Sequence, residues 1–372
     1  MNKCILVLFF GFLSWNSNAQ EIEALLDSAL FSFEQLSEDK SKQEQLKEAN
    51  QDKKVFFIAE AHELDINPIY QLFFFKYLYK YAGVRHLLTE YSYGTTLMID
   101  RYVQSGDIEY LEATQDYKNE LYRDYWRDIY DWNNSLPEAD KISIHGIGRF
   151  NWPIVAPLYF CLPDDPPPNI IRKESETIRQ QYLKGKTPSY YDSDFGSKKN
   201  MKLRRSLRKK LKKYPELESY FRENYVHVLR MANNLAAYNP IDQSMYENFS
   251  ELSNDLKGNI MIVFGSYHCF LDRWEHRYDP IAKLINESEN FENQIYATIG
   301  YFDNCKSSRG SLMDDGLKPF KNPSHNDLLL SLASERSDFC ILNMDLIPEE
   351  LLLDNFKYAN LLFIMNNQLG TH

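Results

Sequence analysis

Long apolar runs, close cysteine pairs and surplus basic charge are all scarce in this chain, and each shortage removes a class of function. Beyond residue 19 no stretch approaches the roughly 18 uninterrupted apolar residues of a membrane-spanning helix, so no membrane span is expected. The 5 cysteines include no Cys-x-x-Cys or zinc-knuckle spacing, which removes the strongest signal of a structural metal. Lys and Arg number 42 against 53 Asp and Glu, and the formal net charge of -11 opposes general binding to nucleic acid or anionic lipid. A small neutral or cationic substrate is easier to accommodate. Familiar catalytic signatures are missing too. His62-Glu63 is not followed by the second histidine of a metalloprotease helix, and Ser266 lacks the flanking glycines of a nucleophile elbow. Gly146-Ile147-Gly148-Arg149-Phe150-Asn151 imitates a dinucleotide-binding turn but has Asn151 where the third glycine belongs.

The amino terminus has the marks of a secretory signal peptide. Lys3 precedes an apolar core from Cys4 to Trp15, and Ser17-Asn18-Ala19 is a small-residue ending before Gln20. Residues 1–19 are therefore expected to be removed, giving a secreted or periplasmic product that starts at Gln20. Cys4 lies inside the apolar core, away from the cleavage site, and is not read as a lipid attachment point. Removal deletes Lys3 and no acidic residue, so the formal net charge passes from -11 to -12. Cys161, Cys269, Cys305 and Cys340 remain; export permits disulfides, and their wide spacing selects no pairing.

The rest of the chain alternates strand and helix patterns. Glu21 to about Gln51 repeats Leu25, Leu26, Ala29, Leu30, Phe33 and Leu36 near the helical period. A strand at Lys54–Ala59, a helix opened by Asn67-Pro68 and closed before Gly83, and a strand at Arg85–Thr89 form a strand, crossover helix and parallel strand. Further strands are predicted at Lys141–Ile147, Asn259–Phe264, Gln294–Tyr301, Phe339–Met344 and Asn360–Met365. Between Pro163 and Asn239 the character changes. Pro166-Pro167-Pro168 opens a polar segment with a basic run from Lys202 to Lys213, read either as an anion-binding arm or as the solvated face of a lid helix. The fold class predicted is α/β, a mainly parallel central sheet flanked by helices with an inserted helical cap. Residues 20–162 form the first half of the core, 163–239 the cap and 240–372 the second half. The aromatic group Tyr122–Trp132 is read as packing or as the wall of an apolar pocket.

Chemistry-bearing residues gather where predicted strands end. Glu60 and His62 follow the apolar run Val55-Phe56-Phe57-Ile58-Ala59, Glu90 follows His86-Leu87-Leu88-Thr89, and His268 follows Phe264-Gly265. The carboxyl ends of parallel strands open on one edge, so these four groups can converge. Placing charge there without a function costs several kcal/mol per ion. An imidazole beside a carboxylate is a base at neutral pH, because the carboxylate fixes the tautomer and stabilises the cation. His62 is the expected base toward water, with Glu60 or Glu90 orienting it and His268 as the second imidazole. The same ligand types could instead hold a divalent metal that activates water, and composition does not separate the two. Arg149 is read as a contact to a substrate anion or as a surface residue.

The pattern resembles the erythromycin esterase-like superfamily, which includes the ChaN-like haem-binding and Tiki proteins. The resemblance lies in Ala59-Glu60-Ala61-His62, the strand ending at Glu90, Asp242-Gln243-Ser244-Met245-Tyr246-Glu247-Asn248, Phe264-Gly265-Ser266-Tyr267-His268, and the final Tyr358-Ala359-Asn360-Leu361-Leu362-Phe363-Ile364-Met365. It spans about Val55 to Met365, with the cap unmatched. The chain departs from it at Ala59 in place of the motif glycine, at Ile241 in place of an arginine, and at Gly148 where an aspartate is usual. With the signal peptide, the resemblance implies an exported esterase-type hydrolase in which Glu60, His62, Glu90 and His268 are catalytic and no cofactor is required, and Arg149, Asp242 and Tyr267 are the candidate contacts to a small-molecule substrate. The alternatives it implies are a haem- or metal-binding protein, with Tyr267 or His268 as axial ligand, and a non-catalytic relative.

Overall fold

The structure, a computed structural model, describes residues 20–148, 154–184, 198–233, 241–272, 279–306, 312–313, 318–368 and 370. The expected signal peptide and Arg149 lie outside the described residues. Along the chain, residues 20–29 are helical and lead into β1 (Leu30–Ser32), β2 (Val55–Glu60), α1 (Asn67–Ala82), β3 (Val84–Ser92), α2 (Tyr93–Ser105), α3 (Glu120–Ser135) and β4 (Ser143–Gly148). Helices α4 (Arg172–Leu183), α5 (Lys198–Lys213), α6 (Tyr225–Asn233) and α7 (Ile241–Ser253) follow. The chain then forms β5 (Asn259–Gly265), β6 (Ile295–Asp303), α8 (Pro323–Arg336), β7 (Phe339–Asn343) and β8 (Leu361–Asn366). The fold class is α/β as expected, with mostly parallel strands. The chain divides into two units, Met1–Phe74 with Phe264–His372, and Phe75–Val263.

The first unit carries strands in the order β1-β7-β8-β6-β2. β2 and β8 run parallel to β6, whereas β7 is antiparallel to both β8 and β1. Leu26, Leu30, Ile299, Tyr301, Leu342 and Leu362 belong to its core. The single helix expected over Glu21–Gln51 is interrupted at β1. Leu30, Phe31 and Ser32 are consecutive and all buried, which one helix face does not allow and a short paired strand does. Ser32 then restarts the helix with a capping box: its hydroxyl accepts the Gln35 amide at 3.1 Å, and its own amide donates to Gln35 Oε1 at 2.9 Å.

In the second unit β5, β3 and β4 lie side by side and parallel. Leu203, Leu207 and Leu211 of α5 share a core with Leu97 and Met98 of α2, Ile178 of α4 and Val228 of α6. The aromatic group of α3 is packing: Trp132 meets Phe75 and Tyr79 edge-on, and buried Trp126 donates from Nε1 to Asp116 Oδ2 at 2.6 Å. A polar clasp joins β3 to β4. His86 Nε2 lies 2.8 Å from the Lys257 carbonyl and so carries the proton; Nδ1 accepts from the Ser143 hydroxyl at 2.7 Å, and that oxygen accepts from His145 Nε2 at 2.7 Å. Burial pushes His145 down to about 3, so the clasp is neutral at physiological pH.

Asp100 of α2 accepts the Ile144 amide at 2.8 Å, and burial pushes its carboxyl up to about 6 despite that hydrogen bond. The unfolded chain releases this proton near 3.8 and the folded chain near 6. The stabilising contribution is therefore complete below the lower value and is lost as pH rises through the upper one. Asp100→Asn keeps an acceptor oxygen and cannot ionise. It is expected to raise stability by up to about 3 kcal/mol at about pH 8 and to change little at about pH 3, as read by urea melts at both pH values.

Candidate active site

β2 is buried from Val55 to Ala59 and emerges at Glu60. Its end is held by side chains from elsewhere in the first unit. The Ala59 amide donates to Thr298 Oγ1 at 2.7 Å, the Tyr70 hydroxyl donates to the Ala59 carbonyl at 2.8 Å, and Asn67 Nδ2 donates to the Ala61 carbonyl at 2.6 Å. Asn67 and Tyr70 are fully buried in the first turn of α1, so the helix that covers the strand also fixes where the strand stops. Directly after His62 the backbone turns through Glu63, whose φ of 68° is left-handed and costs a non-glycine residue about 1–2 kcal/mol.

Glu60 and His62 form a hydrogen-bonded pair, His62 Nδ1 to Glu60 Oε1 at 2.9 Å. Gln71 of α1 donates from Nε2 to the other carboxylate oxygen, Oε2, at 2.8 Å. An ionised carboxylate only accepts, so the imidazole proton sits on Nδ1 and Nε2 carries the lone pair. The Glu60 side chain is 15% exposed and that of His62 59%. A shielded carboxylate thus orients an imidazole that water can reach.

His268 arrives from the short 3-10 turn Ser266–Cys269 at the end of β5. Ser266 is buried; its hydroxyl accepts the Gly300 amide at 3.1 Å and lies 3.5 Å from the Glu60 carbonyl, tying this turn to the end of β2. Its role is to place the turn. Gly265 separates the two imidazoles: a methyl on its α-carbon would stand 3.0 Å from His62 Nε2 and 3.8 Å from His268 Cδ2. Gly265→Ala is therefore expected to push His62 aside by a few tenths of an ångström. Any turnover that depends on this pair should fall about tenfold or more while thermal melting changes little, because a small misplacement of a reacting group is costly.

Glu60, His62 and His268 are thus brought to one place, and Tyr267 beside them is 46% exposed. Glu90 and Asp242 belong to the second unit. There β3 continues past the expected end at Thr89 through a register shift between Thr89 and Ser92, the kind of irregularity that re-aims a side chain. The Glu90 carbonyl packs on Gly148, where a methyl group would sit 1.7 Å from its oxygen. That close approach leaves room for glycine alone at this position. Gln71 escaped the sequence reading; a lone amide within the apolar and aromatic stretch Ile69–Phe75 is the signal that marks it. Among the described residues no three His, Cys, Asp or Glu side chains are grouped to hold a metal ion. Among the described residues, Cys161, Cys269, Cys305 and Cys340 are buried thiols that form no disulfides.

No protein-family model and no curated protein matches the chain. Solved structures do. A Bacillus cereus protein shares 14% identity at a TM-score of 0.64, covering 95% of this chain and 99% of its own. A succinoglycan biosynthesis protein shares 12% identity at a TM-score of 0.65, with 95% and 98% covered. An erythromycin esterase in its open conformation shares 13% identity at a TM-score of 0.59, with 92% and 98% covered. At such identities the likeness establishes an α/β fold of the kind an erythromycin esterase has.

Proposed function

We propose that this chain is an exported hydrolase of the erythromycin esterase-like superfamily that activates water for attack on an ester or amide of a small molecule. The observation that carries the reading is the hydrogen-bonded series Gln71–Glu60–His62, which leaves the basic nitrogen of an exposed imidazole beside Gly265. Water gives a proton to His62 Nε2 as its oxygen bonds to the acyl carbon. Glu60 stabilises the resulting imidazolium through the Nδ1 proton, and Gln71 holds Glu60 in place. When the tetrahedral intermediate collapses, the bond to the leaving oxygen or nitrogen breaks, that atom takes a proton from His268 acting as an imidazolium, and passage of the His62 proton through solvent to His268 restores both groups. These steps use the chain's own groups alone. Export rests on the pattern of residues 1–19. Arg149, Asp242, Tyr267 and Glu90 remain substrate-contact or catalytic candidates without an assigned step.

The test is turnover of a panel of esters and amides by the purified protein and by Glu60→Gln. Loss of turnover in a variant that keeps its circular dichroism supports the reading. No turnover by the parent, together with a Soret band on adding haem that His268→Ala abolishes, would replace it with haem binding.

A further inference from the structure

Helix α5 is the one strongly basic element of an acidic chain. Its 16 residues hold ten Lys or Arg and no Asp or Glu, so the remainder of the chain carries -21 of the total -11. Its apolar side is used: Leu203, Leu207 and Leu211 are buried in the second unit. Lys210 is used as well, bound by both oxygens of the buried Glu174 at 2.6 Å, with Ser206 donating to the same carboxylate. These contacts fix the rotation of the helix. Lys202, Arg205, Lys209, Lys212 and Lys213 are exposed, and among the described residues none of the five has a carboxylate partner. Residues three and four apart on a helix are neighbours, so Lys202, Arg205 and Lys209 repel one another along one row, as do Lys209, Lys212 and Lys213. In a chain with 53 acidic residues to draw on, a row of unrelieved like charges is a feature that an external anion would neutralise.

We propose that this face of α5 docks the protein on a lipid surface rich in anionic headgroups. Screening confines each charge to about 8 Å at physiological salt, so the face acts on a nearby surface independently of the acidity elsewhere. A bilayer is favoured over nucleic acid by the apolar groups exposed on the helices that pack against α5: Leu183 at the end of α4 is 74% exposed and Val226 at the start of α6 is 52% exposed. The Tyr225 hydroxyl reaches the Leu211 carbonyl, which joins the start of α6 to the carboxyl-terminal part of α5. Exposed apolar residues on helices that adjoin a basic one suit a headgroup boundary and gain nothing from a phosphodiester chain. Because the apolar side of α5 is occupied, binding is electrostatic and reversible. It does not depend on the hydrolase reading.

The experiment is co-sedimentation of the full chain with vesicles of phosphatidylcholine alone and with roughly one-third phosphatidylglycerol, at about 0.1 M and about 0.5 M salt. Any association of the apolar amino-terminal segment is common to both vesicle types, so the difference between them reads charge. Binding should be stronger to the anionic vesicles, vanish at high salt, and fall about a hundredfold in the triple variant Lys202→Gln, Arg205→Gln, Lys209→Gln, whose melting is unchanged because the three side chains are exposed. Equal binding to both vesicles, undiminished binding by the triple variant, or equally tight binding of duplex DNA at the same phosphate concentration would each overturn the proposal.

Discussion

His62→Ala should lower kcat/KM on any ester or amide that the protein hydrolyses by about 10²–10⁴-fold, the range a positioned general base supplies. The fold should be indifferent to this change. The His62 side chain is 59% exposed, and its bond to Glu60 sits at the surface end of a strand whose other anchors, Thr298, Tyr70 and Asn67, are untouched. Removing it leaves Glu60 still hydrogen-bonded to Gln71, so no buried carboxylate is orphaned. Thermal melting within a few degrees of the parent, alongside a loss of turnover, is the expected pair of results. A variant that retains parental kcat/KM would remove His62 from the chemistry and with it the reading of the whole cluster.

The second large effect is on stability. Gly148→Ala should unfold the protein or destabilise it by more than about 4 kcal/mol, the range reached only when substitution meets structure that cannot yield. The added methyl would lie 1.7 Å from the Glu90 carbonyl oxygen and 2.8 Å from that of Tyr91. Both are backbone atoms of β3, which is paired to β4 on one side and β5 on the other, so neither can rotate away as a side-chain tip would. Denaturant melts of the variant read this directly, and stability within about 1 kcal/mol of the parent would show that the strand irregularity at Glu90 is more pliant than its geometry indicates.

The strand ends that carry the candidate residues were legible in the sequence where an apolar run stops at a polar group. Val55 to Ala59 is an uninterrupted apolar run, and the first polar side chain after it, Glu60, is where the structure emerges from the core. The same logic located β5 and the turn that carries His268. Both readings rest on local pattern, which a single sequence contains. What stayed hidden depends on pairing between distant segments. Leu30, Phe31 and Ser32 fit a helical repeat until β7, some three hundred residues later, supplies hydrogen bonds that favour a strand. Gln71 is one polar letter on a helix until α1 folds back along β2 and brings its amide to Glu60. The need for Gly265 and Gly148 is likewise invisible in the sequence, since each glycine makes room for a group from another element.

If Glu60 and His62 act as one unit, a double-mutant cycle on kcat/KM will show their coupling. The kcat/KM of the parent, Glu60→Gln, His62→Ala and the double variant would be measured on one ester. If Glu60 works through His62, the double variant should lose no more than His62→Ala alone. Losses that multiply, each substitution costing the same with or without the other, would contradict the pair as a catalytic unit.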